Sequence, residues 1–201
     1  MSAGTTERRQ GARSGMIGLA GAAVSGLFGF LLAVVVARGF GPDGSGAIFA
    51  AIGLLTVASA ICCLGADTGL VWALPRRLAA PSADPGGLLT VAVLPAMATA
   101  LVVAAAGLLA ADDLARVLLP EAGGSGSRLL VVALTAVPAV VLMTLLLSAV
   151  RAARPIGWYA AIQFALLPVG RPVLVGAVAL ASAGVVLAMA GWVLPVLVAI
   201  A

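Results

Sequence analysis

Apolar residues in this chain come in long blocks rather than in alternation. Six blocks, at about 14–37, 46–72, 87–111, 128–150, 158–182 and 184–201, are nearly free of charge, and short polar stretches separate them. At 1.5 Å per residue, about 20 helical residues are needed to cross ~30 Å of hydrocarbon. The first five blocks exceed that length and the last falls just short of it. The pattern predicts an all-α polytopic membrane protein: a polar, basic N-terminus (1–13) followed by a transmembrane unit (14–201) of about six helices. The joints read as turns, "GFGPDGSG" before the second block and "LPRRLAAPSADPGG" before the third. The first apolar run is about twice as long as the 7–15-residue core of a signal peptide, so it is expected to stay as a helix. Within "ADDLARVLLPEAGGSGSR" (111–128), Leu114, Val117 and Leu118 are spaced as one helical face. A short helix on the membrane surface and a solvated loop both fit.

Composition agrees with the block pattern. The chain is 63% hydrophobic and 9% charged, with a mean hydropathy of +1.24, far from the roughly 25% charge of soluble domains. All eleven basic residues are arginine and there is no histidine. The net charge of +4 does not point to nucleic acid, because the arginines are scattered at block ends without interleaved aromatics. They act as topology signals. With a cytoplasmic N-terminus, Arg8, Arg9, Arg13, Arg76, Arg77, Arg151 and Arg154 fall inside, and Arg38, Arg116 and Arg128 fall outside. This positive-inside bias puts both termini in the cytoplasm. Cys62 and Cys63 are adjacent within an apolar block, which predicts two buried thiols rather than a strained vicinal disulfide. The chain lacks a metal-ligand set, a nucleophile elbow and a phosphate-binding loop ending in lysine. The expectation is therefore a non-enzymatic protein without metal or cofactor.

Two ionisable residues stand out by depth. Arg171, in "FALLPVGRPVLVGAVAL" (164–180), lies thirteen residues from Trp158 and eleven from Ser182. A central arginine costs about 2.5–3.5 kcal/mol on insertion scales, so it is expected to face protein or a watery cavity. Pro168, Gly170 and Pro172 surround it, and helix breaks at membrane depth line cavities in transporters. One reading is an anion site at a helix break. The other starts the helix near Pro172 and lets Arg171 snorkel to the interface. Trp158 and Tyr159 form an interfacial belt after Arg151 and Arg154, which favours the first. Asp67 lies nine residues before Arg76, about 13 Å of helix toward the membrane centre. Pairing with Arg171, taking up a proton or cation, and bonding a neighbouring helix are its open roles. Gln163 and Tyr159, four residues apart, can share a polar face with the cavity or bond another helix. In the first block, small residues recur every four positions (Ser14, Gly18, Ala22, Gly26 and Ser25, Gly29, Ala33, Ala37), as in closely packed membrane helices.

Two stretches, "ARGFGPDGSGAIFAAIGLL" (37–55) and "LGADTGLVWALPRRLA" (64–79), resemble the opening of bacterial polysaccharide and O-antigen flippases of the multidrug/oligosaccharidyl-lipid/polysaccharide exporter superfamily. Arg38, Gly41, Pro42 and Gly46 match the first phrase of that family, and Gly65, Asp67, Gly69, Leu70 and Arg76 the second. "SAVRAARPIGWYAAIQ" (148–163) is similar to its short cytoplasmic turn between helices four and five. The resemblance implies one lobe of a two-lobe, alternating-access transporter in the bacterial cytoplasmic membrane. It further implies a lipid-linked oligosaccharide as substrate, membrane lipid and that glycan as partners, and a cationic cavity residue such as Arg171 at its pyrophosphate. The family has about twice as many helices as this chain, so a second lobe, a second copy or further sequence is expected. Drug export within the superfamily and a non-transporting membrane scaffold are the alternatives.

Overall fold

The computed structural model describes residues 3–79, 85–153 and 156–200; the side chains of 3–14, 17, 85 and 156 are not described. Arg154, and the side chains of Arg8, Arg9 and Arg13, therefore lie outside the described residues. Among those described the chain is helical and has no strand. The helices are α1 (Ala3–Cys62), α2 (Ala66–Leu78), α3 (Pro85–Leu109), α4 (Ala111–Leu118), α5 (Gly124–Ala153), α6 (Ile156–Ala160), α7 (Leu167–Leu180) and α8 (Val185–Ile200). A 3-10 turn (Pro120–Ala122) precedes α5, and a π turn (Ala161–Leu166) joins α6 to α7.

Four helical stretches are long and apolar enough to cross a membrane: Gly18–Cys62, Gly86–Leu109, Gly124–Ala153 and Gly157–Leu180. The six expected blocks differ from this in three places. The first two belong to one helical stretch, α1, whose two segments meet at Gly41. The second does not run to residue 72, because Leu64 (φ 51°) and Gly65 (φ 75°) are left-handed and separate α1 from α2. The last, α8, has 16 residues, or about 24 Å.

Gly41 is where the chain folds back. Its φ of 68° and ψ of −176° lie in a region essentially open only to glycine. Before it, Gly21 meets Phe164, Val35 meets Gly176 and Gly39 meets Ala179, so this segment runs parallel to the α6–α7 rod. After it, Gly44 meets Val185 at the start of α8. Ser25 and Asp67 line one cavity, whereas a straight helix would hold them about 63 Å apart. Pro42 begins the returning segment, a position where its missing N–H costs nothing, and the Ser45 hydroxyl donates to the Pro42 carbonyl at 2.9 Å.

Helix α5 is the hub. It packs on α1, α2, α3, α4 and α8, and 50% of its apolar stretch is buried, against 17% in the other three. Leu129, Leu130, Val137, Val141 and Leu145 fill the centre with Ile48, Leu55, Leu70 and Met189. Large apolar side chains such as Leu27, Phe30, Val91, Val102 and Leu180 point outward, as in a lipid-facing shell. Apart from Arg171, the described arginines segregate to opposite ends. Arg38, Arg116 and Arg128 lie at the end that gathers Gly41, α4 and the α7–α8 turn. Arg76, Arg77 and Arg151 lie at the other, where α2, α3 and α5 share an apolar groove.

One open expectation is resolved and another changes. The segment after Ala110 is a helix rather than a loop; it packs through Ala111 and Ala115 with Leu119 just beyond it, Leu114 leans on the core, and Val117 and Leu118 are exposed. An Asp113–Arg116 ion pair at 2.9 Å crosses its outer surface. In the first segment the close approaches occur at Gly21 and Gly39. Gly18, Gly26 and Gly29 have open space beside them, so the four-residue stripes do not mark the packed line. Cys62 and Cys63 are free and buried.

Gly41→Ala is expected to destabilise the fold by about 1–3 kcal/mol through its disallowed backbone angles. Gly46→Ala, where a methyl group meets open space, is expected to leave stability unchanged or slightly raised. Thermal unfolding of both variants in detergent checks this.

Candidate functional site

A cavity of about 470 Å³ opens between the first segment of α1, the start of α2, the second half of α5 and the α6–α7 rod. Each wall is a helical stripe. Ser25, Phe28, Gly29 and Leu32 follow an i, i+3, i+4, i+7 pattern on α1, and Thr144, Leu147, Ser148 and Arg151 do the same on α5, with Met143 beside them. Gly29 and Ser25 keep the α1 wall low.

The third wall carries Tyr159, Gln163, Leu167, Pro168 and Arg171. At 100° per residue, steps of four drift by about 40° each, so a straight α-helix would turn Arg171 about 120° away from Tyr159. The π turn takes back part of that drift, because each of its turns holds more residues. Its cause is local. Pro168 has no N–H to donate and its ring would press on the carbonyl of Phe164. The backbone widens ahead of it, with the Leu167 N–H donating to the Ile162 carbonyl five residues back. The expected break at Pro168, Gly170 and Pro172 is therefore a wide turn just upstream, and the rod stays helical throughout. Of those three residues only Pro168 reaches the cavity. Gly170 faces Pro195 of α8, where an added methyl group would sit 3.1 Å from the ring, and Pro172 is buried.

Arg171 is half-buried, with its guanidinium carbon 3.9 Å from the centroid of the Trp192 ring. Its Nε is buried without a hydrogen-bond partner among the described residues. Stacking on an indole offsets part of the cost of removing the cation from water. Asp67 lines the same cavity, in the first turn of α2, where the helix dipole favours a carboxylate. Among the described residues it forms no ion pair with Arg171; the ion pair found there is Asp113–Arg116. The cavity thus holds two guanidiniums, Arg171 and Arg151, against one carboxylate. Arg151 stacks 5.4 Å from the Tyr159 ring centroid, and Tyr159 in turn meets Phe164 edge-on at 6.0 Å. The arrangement suits a charged or strongly polar guest with a net negative head. It offers no nucleophile–base pair.

Five residues singled out from the sequence, Tyr159, Gln163, Pro168, Arg171 and Asp67, converge here. Arg151, Thr144, Ser148, Ser25 and Trp192 were not anticipated. The first three carry a usable signal, since they recur at i, i+4 and i+7 and end in a cation. The motif residues serve local geometry: Gly41 and Gly65 supply left-handed backbone, Leu70 is buried, and Arg76 stacks 3.2 Å over Trp72. Gly69, Gly46 and Arg38 lie outside this cavity. Comparison with family models, with curated proteins and with solved structures finds no match to the chain.

In a Cys62→Ala/Cys63→Ala background, Ser148→Cys is expected to react with a membrane-impermeant thiol reagent. Leu101→Cys, on the outward apolar face, is expected to stay unlabelled. Mass spectrometry of labelled membranes reads both.

Proposed function

We propose that this chain is one lobe of a transporter that moves a lipid-linked oligosaccharide across the bacterial cytoplasmic membrane by alternating access. The observation that carries the reading is the Arg171 guanidinium, deep in an apolar helical bundle, stacked on Trp192 and lining a cavity with Asp67, Gln163, Tyr159 and a second arginine. A cation kept at that depth without an ion-pair partner among the described residues is worth its insertion cost where a guest supplies the negative charge. A phosphate or diphosphate head fits the planar guanidinium edge, and its lipid tail can stay in the bilayer beside the exposed apolar shell. Lipophilic cations, the usual cargo of drug export, would call for the opposite sign.

In this reading the chain crosses the membrane six times, with the Gly41 reversal on the outer side. The arginine-rich end (Arg76, Arg77, Arg151) and both termini face the cytoplasm, following the positive-inside rule. The second lobe is supplied by another copy or by further sequence. The resemblance of 37–55 and 64–79 to polysaccharide flippases points the same way. No covalent step, metal or cofactor is required.

Arg171→Gln is expected to lower glycan export by roughly ten- to hundredfold, the scale of one charge-assisted hydrogen bond of about 1.5–3 kcal/mol. Arg171→Lys is expected to retain part of it. Export is measured at matched protein levels in the membrane. Undiminished export by Arg171→Gln would leave a non-transporting scaffold as the better account.

A further inference from the structure

The cavity has two cationic positions, and they are far apart. Tyr159 and Arg171 lie on one helical rod, twelve residues from each other, or about 18 Å along its axis. Arg151 is tied to the Tyr159 end by its stack on that ring, in the last turn of α5. Arg171 is drawn the other way. Helix α8 runs antiparallel to α7, with Pro195 against Gly170 and Gly191 against Leu174. Trp192 therefore sits level with Val173–Leu174, and the guanidinium stacked on it leans away from Arg151. A diphosphate, two tetrahedra sharing an oxygen, is much shorter than this separation. With both stacks intact it can touch one guanidinium at a time. Between them the walls present Ser148, Thr144 and Gln163, neutral hydrogen-bonding groups, and the Asp67 carboxylate.

We infer that Arg151 on Tyr159 is an outer station that captures the anionic head, and that the head then passes to a distinct inner station at Arg171 on Trp192. This rests on the transport reading above and adds an order of events to it. Asp67 keeps the cavity's net charge at one positive unit, so the inner station holds the head without trapping it. A captured anion at the rim raises the rate of reaching the inner station in both directions and leaves the final equilibrium unaltered, which separates a relay from a single two-arginine clamp.

The structure supplies its own reporter. Trp72 and Trp158 are exposed, so Trp72→Phe/Trp158→Phe leaves Trp192 as the sole tryptophan of three, its emission sensitive to loss of the stacked cation. The purified 201-residue chain in nanodiscs is mixed with farnesyl diphosphate in a stopped-flow instrument, and equilibrium binding is measured separately by dialysis. Arg151→Gln is expected to slow both arrival at and departure from Trp192 about tenfold, the lower end of electrostatic steering, with the dissociation constant unchanged. Arg151→Lys is expected to restore the rates, and Arg171→Gln to abolish the Trp192 signal. Unchanged rates in Arg151→Gln overturn the relay and leave the transport reading standing. Equal loss of affinity in both single variants, with no further loss in the double variant, overturns it in favour of a clamp. Failure of the parent to bind farnesyl diphosphate at all overturns the transport reading itself.

Discussion

A guanidinium stacked on an indole inside an apolar bundle is the contact around which the site is arranged. Arg171 cannot lose its proton under ordinary conditions, so the surroundings must accommodate a permanent cation. They do so with a π surface on one side and a polar cavity on the other. Three helical walls enclose that cavity with the cation. The α1 wall is kept low by Ser25 and Gly29, the α5 wall brings hydroxyls, and the α6–α7 wall holds the arginine in line with Gln163 and Tyr159.

Backbone irregularities make this arrangement possible. The π turn aligns residues that a regular helix would spread around its circumference. The reversal at Gly41 folds one long helical stretch back on itself, so that the chain returns toward the cavity its first segment lines, and the joint at Leu64–Gly65 starts a fresh helix whose first turn presents Asp67. Each irregularity sits beside a residue that explains it: Pro168 after the wide turn, Gly41 at the reversal, and Gly65 at the joint, where Leu64 shares the positive φ. The regular helix α5 is the counterpart, supplying the packing against which the others are held.

Helical character, with stretches long and apolar enough to span a membrane, was plain in the sequence, because block length and scarcity of charge depend on composition alone. Arg171 and Asp67 were legible because ionised groups at that depth are costly, and Tyr159 and Gln163 because they share a helical face. The joint at Leu64 was not, since a leucine at positive φ leaves no mark in a hydropathy pattern; Gly65 was the only hint. Arg151 was hidden by its position, because an arginine at a helix end already has a sufficient explanation in topology. Trp192 lies in an unbroken apolar run, where nothing distinguishes a ring that receives a cation from one that fills the core. The small-residue stripes misled for a related reason. Spacing shows where a helix is narrow, and only the neighbours show where narrowness is used, as at Gly21 and Gly39.

The cut between α1 and α2 has its own consequence. Leu70 and Leu74 anchor α2 in the core, while the positive φ angles of Leu64 and Gly65 turn the chain immediately ahead of Asp67. Asp67 is brought to the cavity by that turn of the chain, whereas each guanidinium is set by the ring it stacks on. The acidic side chain of the hollow thus owes its place to two residues of backbone, Leu64 and Gly65, rather than to the helix faces that carry the rest of the lining.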